Sequence, residues 1–235
     1  MFSSINLPSL LLNLAVWAGS AALVIFFYRK NKAKLTGWKV FLATFVGLFS
    51  FSITVPLFHD TFKIALLPLG VWILFFIFRK VKDRWVKYRP FAWLGFFSNY
   101  LFLAAGLLAI PINHGLYPEN EVSTYLSSYE QPVLIAINPS ADEHRIDRAA
   151  LSTALNKMKE KKIYSTVWYQ NITGQNGKKG DERFPYVLKG TSSKSGSGIQ
   201  TMVFVEKDGK GILVNSQRRQ RYFHSPSSIW EVKNP

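Results

Sequence analysis

Asp142, Glu143, His144, Arg145 and Asp147 form the densest group of chemically capable side chains in the chain. Carboxylates beside an imidazole can pass a proton or share a metal ion, the equipment of a hydrolase or transferase. The same residue types also stabilise a helix start, where acids meet the positive end of the helix dipole. Consecutive helical residues point in different directions, which works against their convergence on one ligand. A second group, Arg218, Arg219, Arg221, Tyr222, Phe223 and His224, is basic and aromatic. Exposed, it would bind an anionic lipid headgroup, a wall polymer or an acidic partner through charge and stacking; on an edge strand its charges would discourage intermolecular pairing.

Composition removes several chemistries. The 235 residues contain no cysteine, which excludes disulfides, thiolate metal sites and thiol redox catalysis. Neither a GxSxG elbow nor an HExxH helix occurs. The loops Gly174 to Gly180 and Gly190 to Gly198 are glycine-rich but lack the spacing of a phosphate-binding loop, so both are expected to be solvated and flexible. His59 and His114 are candidates for a two-histidine metal or haem site at a membrane interface, with solvated imidazoles as the plainer reading. No cofactor is expected. Asn171, Ile172 and Thr173 match a glycosylation sequon.

These groups need a scaffold, and the charge distribution shows its plan. Up to Pro111 there are 12 Lys or Arg and two acids, Asp60 and Asp83; beyond it there are 17 and 12. The excess of +15 is thus concentrated in short loops between apolar runs, a topogenic pattern that makes nucleic acid an unlikely partner. Four transmembrane helices are expected, over about 7–28, 40–58, 62–78 and 91–111. The third is short and relies on Lys63 reaching the interface. The stretches Arg29 to Lys39 and Arg79 to Arg89 carry five and six cations and belong in the cytoplasm, so both termini lie outside a multi-pass cell membrane. Apart from Lys63 the spans carry no ionisable side chain, which argues against a pump or redox core. The short loops suggest a bacterial source.

After a linker over 112–130, residues 131–235 predict a small extracytoplasmic α+β domain. Pro132 to Ile137 forms a buried strand. Ser140 and Glu143 make a capping box opening a helix over about 141–161. Ile163 to Ile172 is a strand, and Phe184 to Leu188 a short element. Ile199–Glu206 and Gly211–Asn215 pair across an Asp208-Gly209 turn. Ser225 starts a short helix ending at Trp230.

The order strand, helix, strand, long connection, hairpin and short helix, carried by QPVLIAI (Gln131–Ile137) and IQTMVFVEKDGKG (Ile199–Gly211), resembles the thioredoxin-like fold. In a gapless reading that family's Cys-x-x-Cys falls on Asp142, Glu143, His144 and Arg145, and its cis-proline on Gln200. The resemblance therefore implies a domain without redox chemistry that keeps a surface for extended polypeptide segments. Together these features predict a non-catalytic accessory or scaffold subunit engaging another envelope protein. An envelope hydrolase or transferase using the Asp142–Asp147 cluster and a transporter or channel subunit are the alternatives.

Overall fold

The computed structural model describes residues 5–31, 35–57, 60–81, 83–163, 182–217 and 219–230. The chain divides into two compact units, one of Pro8–Ile112 and one of Met1–Leu7 with Asn113–Pro235.

The first unit holds α1 (Leu7–Lys30), α2 (Gly37–Gly47), β1 (Phe51–Leu57), β2 (Asp60–Leu67), α3 (Leu69–Phe78) and α4 (Arg84–Leu116). Two helices, α1 with 24 residues and α4 with 33, are long and apolar enough to cross a membrane. Large apolar side chains face outward, among them Leu11, Phe26 and Trp38 at 56%, 58% and 65% exposure. Such a surface is a liability in water and ordinary against lipid tails.

The second and third of the expected transmembrane helices do not form as single helices. Each is half helix and half strand: α2 has 11 residues and α3 has 10, about 16 Å each at the helical rise. Between them β1 and β2 form an antiparallel hairpin, from Phe51 opposite Leu67 to Leu57 opposite Asp60. Pro56, with Ile53, Thr54 and Val55 before it, explains the switch, since proline breaks a helix interior and β-branched residues favour strands. The fourth span begins earlier than expected and passes through Pro90, so Arg84, Lys87 and Arg89 stand on the helix rather than in a loop.

Glycine allows these helices to touch backbone to backbone. A Cβ on Gly47 would overlap the Ala92 carbonyl, one on Gly95 the Thr44 carbonyl, and one on Gly70 the Val46 carbonyl. The break after α2 is satisfied from α4: Asn99 Nδ2 donates to Leu48 O at 3.1 Å, and Tyr100 OH donates to Ala65 O at 2.6 Å. Irregular backbone needs such partners where water is scarce.

The second unit contains α5 (Val122–Tyr125), β3 (Val133–Ala136), α6 (Arg148–Lys157), β4 (Lys159–Lys161), β5 (Tyr186–Lys189), β6 (Thr201–Val205), β7 (Gly211–Ser216) and β8 (Gln220–His224). Among the described residues its sheet has six strands in the order β3-β5-β6-β7-β8-β4, antiparallel at every pairing. One face packs Val203, Val205, Ile212, Val214 and Phe223 against Leu151, Ala154 and Leu155 of α6. The stretch expected as a linker joins this core through Val122, Tyr125 and Leu126.

The helix expected over 141–161 is shorter. Asp147, not Ser140, is its N-cap, and its carboxylate accepts from Ala149 and Ala150 N–H. Ser140 Oγ is occupied elsewhere, accepting from Glu182 N–H. The chain leaves the helix at Lys157 and enters β4. The 208–209 hairpin forms as expected, with Gly209 at φ 69°. No helix forms over 225–230; Ser225 and Ser228 hydroxyls accept from Ser227 and Trp230 N–H, competing with helical bonds.

The Gly190 to Gly198 loop, part of it exposed, is tied down by hydrogen bonds. Ser193 and Ser197 are buried, Lys194 N–H donates to Thr124 O, and Leu7 N–H donates to Gly196 O at 2.8 Å. The other glycine-rich loop, the sequon, His59 and the strand expected over 163–172, Ile163 apart, lie outside the described residues.

Candidate functional site: an apolar sheet edge beside an aromatic groove

Among the described residues strand β3 ends the sheet and has one neighbour, β5. Ile137 N–H donates to Pro185 O at 2.9 Å, which fixes the antiparallel alternation: Val133, Ile135 and Ile137 turn their backbone polar groups toward β5. Those of Leu134 and Ala136 then turn to the open side. The apolar run predicts a strand covered on both faces, yet Val133, Ile135 and Ile137 are 53%, 36% and 52% exposed. An uninterrupted hydrophobic segment does not reveal how many neighbours its strand will have.

Leu134 and Ala136 line a groove of about 840 Å³ that also includes Asp142, His144, Tyr186 and Trp230. His144 stacks on Trp230 with centroids 4.7 Å apart and planes 6° from parallel. Tyr186 meets Trp230 edge-on at 5.3 Å. The Tyr186 phenol accepts from Asp142 N–H and donates to Asp142 O, both at 2.8 Å. Burial pushes that phenol above its ordinary range, which keeps it protonated. Trp230 bridges to Ile146 and lies against Gly209, where a Cβ would come within 2.6 Å of the indole. The turn glycine therefore serves both the hairpin and the groove wall.

Of the sequence's acid/base candidates, Asp142, Glu143, His144 and Arg145 all line this groove. Asp142 and Glu143 are exposed, with Lys207 Nζ 3.8 Å from the Asp142 carboxylate. Arg145 is exposed as well, whereas Asp147 is consumed as the helix cap. Of these residues His144 makes the ring contacts, with Trp230 and Tyr186. Among the described residues no group of three His, Asp or Glu could hold a metal ion. Trp230 and Tyr186 are the groove residues that linear spacing missed, because nothing local marks a tryptophan that packs on a distant histidine.

The basic aromatic segment is mostly interior. Arg218 lies outside the described residues and Arg219 is exposed. Tyr222 and Phe223 are 5% and 0% exposed, so they are unavailable for stacking on a ligand. Arg221 is held between Glu119 and Glu160, the latter at 2.5 Å. Burial raises the Glu119 carboxyl, but hydrogen bonding and charge from Arg221 outweigh it and hold the group below its ordinary range. Behind this clamp, Tyr222 OH donates to Glu206 at 2.6 Å, and Arg183 Nε donates to the same carboxylate at 2.6 Å. These are internal ties. His114 lines a separate polar cavity of about 110 Å³ with Asn113, Glu119 and Arg219.

The far edge of the sheet shows the contrast. Strand β4 is Lys159, Glu160 and Lys161, all exposed, and charge along an edge deters strand addition. Edge β3 carries no such protection. In comparisons with protein-family models, curated proteins and solved structures the chain matches none.

Proposed function

We propose that this protein is a membrane-held, non-catalytic binding subunit whose sheet unit takes up an extended segment of a partner protein along β3. The observation that carries this is the difference between the two sheet edges: one is lined by lysines and glutamate, the other by Val133, Leu134, Ile135 and Ala136. An added strand would bond to the backbone of Leu134 and Ala136, and its alternate side chains would enter the groove walled by His144, Tyr186 and Trp230.

In this reading α1 and α4 lie in the bilayer and the partner is another envelope protein. Leu7 at the start of α1 bonds to Gly196, and Leu116 at the end of α4 accepts from Lys194 Nζ at 3.0 Å. Both contacts lie within the sheet unit; an even number of crossings between Leu7 and Asn113 would put the N-terminus and that unit on one side of the membrane. The cation-rich stretches between the spans favour the extracytoplasmic side.

A photoreactive amino acid at Val133, activated in intact membranes, tests the reading. Adducts mapping to one extended segment of an envelope protein, and lost with Ile135→Lys, support it. Adducts to β3 of a second copy would instead make this edge a self-association surface, and no adduct at all would sink strand addition.

A further inference from the structure

Within the first unit a groove of about 370 Å³ runs between α1 and α2, lined by Trp17, Ala21, Tyr28, Gly37, Phe41 and Leu48, among others. Four hydroxyls line it, but each is already bonded; Tyr28 OH donates to Leu35 O at 3.2 Å. Ser98 Oγ donates toward Ser20 Oγ at 3.2 Å and Leu94 O at 2.9 Å, and Thr44 Oγ1 donates to Val40 O at 3.1 Å. The lining therefore presents hydrocarbon with no demand for a polar ligand.

From Trp17 to Tyr28 the groove follows α1 for about 16 Å, close to half of a ~30 Å hydrocarbon core. One leaflet is the reach of one acyl chain. The end marked by Tyr28 and Gly37 is the basic end, where Arg29, Lys30 and Lys39 are exposed. No Asp or Glu precedes Asp60 in the chain, so this cluster has no acid within its own segment to offset it.

We propose that this groove holds an acyl chain of an anionic phospholipid whose headgroup rests on Arg29, Lys30 and Lys39. The inference depends on the bilayer placement of α1 and α4 given above but not on the sheet edge. Hydrocarbon burial supplies retention, and the cations supply headgroup selectivity.

The test uses the full chain purified in mild detergent and offered equal amounts of phosphatidylglycerol and phosphatidylcholine with identical chains, with retained lipid read by native mass spectrometry. The expected result is one phosphatidylglycerol retained in preference to phosphatidylcholine. Arg29→Gln, Lys30→Gln and Lys39→Gln should each lower that preference about fivefold, and Ala21→Phe should abolish retention by filling the groove. Equal retention of the two lipids, or retention unchanged by Ala21→Phe, overturns the proposal. Should Ala21→Phe not fold, brominated-chain phosphatidylglycerol must quench the wild-type protein more than Trp17→Phe; equal quenching also overturns it. A protein that does not fractionate with membranes would remove the bilayer placement itself, an outcome distinct from a lost headgroup preference.

Discussion

His144 and Trp230 lie face to face, 4.7 Å between centroids and 6° from parallel, and this stack forms the wall of the groove beside the open sheet edge. Replacing His144 by Ala should lower stability by about 1 kcal/mol, the usual worth of an aromatic pair. It should weaken partner binding more than that, because the groove loses its ordering contact. Thermal unfolding and photocrosslinking yield at Val133, measured on the same variant, separate the two effects.

Ile135→Lys should act in the opposite proportion. The residue is partly exposed, so stability should change by no more than about 0.5 kcal/mol, while a lysine on the receiving edge should cut crosslinking tenfold or more. A large fall in melting temperature would show that the edge is core and not surface.

Removing the Arg221 side chain leaves Glu119 and Glu160 facing each other without their shared cation. Arg221→Ala should cost about 3 kcal/mol in thermal or denaturant unfolding. The acid dependence has a defined sign. The folded Glu119 carboxyl titrates below its ordinary value of 4.5, so its contribution is complete above that pH and is lost as pH falls through the lower folded value. Glu119→Gln should be less stable at neutral pH and show a shallower loss of stability below pH 4.5.

Tyr222 gives the matching alkaline expectation. Burial, then its hydrogen bond to the Glu206 carboxylate, raises the phenol above its ordinary value of 10.0. Stability from this group is complete below pH 10 and declines as pH rises toward the folded value. Tyr222→Phe should cost about 1 kcal/mol at neutral pH and flatten the decline above pH 10, as read by melting temperature across that range.

Glycine substitutions in the apolar unit should divide sharply. Gly47→Ala, Gly70→Ala and Gly95→Ala drive a methyl into a backbone carbonyl, which side-chain motion cannot relieve, and each should cost about 3 kcal/mol or prevent folding. Gly19→Ala meets nothing within 4 Å and should be neutral or stabilising by up to ~1 kcal/mol. Detergent-phase melting curves distinguish the two groups.

The parts of this structure that the sequence reveals are those with a local signal. Asp208 and Gly209 mark the hairpin because a tight turn needs a positive φ, and α1 and α4 show through their long charge-free stretches, Leu7 to Tyr28 and Pro90 to Ile112. The β1–β2 hairpin is hidden because outward-facing strand and helix are equally apolar; only Pro56 and its β-branched neighbours mark the break. Strand β4 is hidden for the reverse reason, since Lys159, Glu160 and Lys161 match the basic end of a helix. In the candidate site, His144 is visible as a residue type, whereas its stacking on Trp230 arises from tertiary packing. Phe223 looks like a surface aromatic among arginines, but alternation along β8 turns it into the core.

The unequal rims of the six-stranded sheet also set a limit on stoichiometry. On the proposed reading, a molecule whose described strands leave it open to pairing at β3 and closed by charge at β4 has a single valence. Docking there consumes it, whether the newcomer is a foreign segment or a twin, and leaves nothing from which a polymer could propagate. Complexes formed at that rim should terminate at two chains and stay discrete at any concentration.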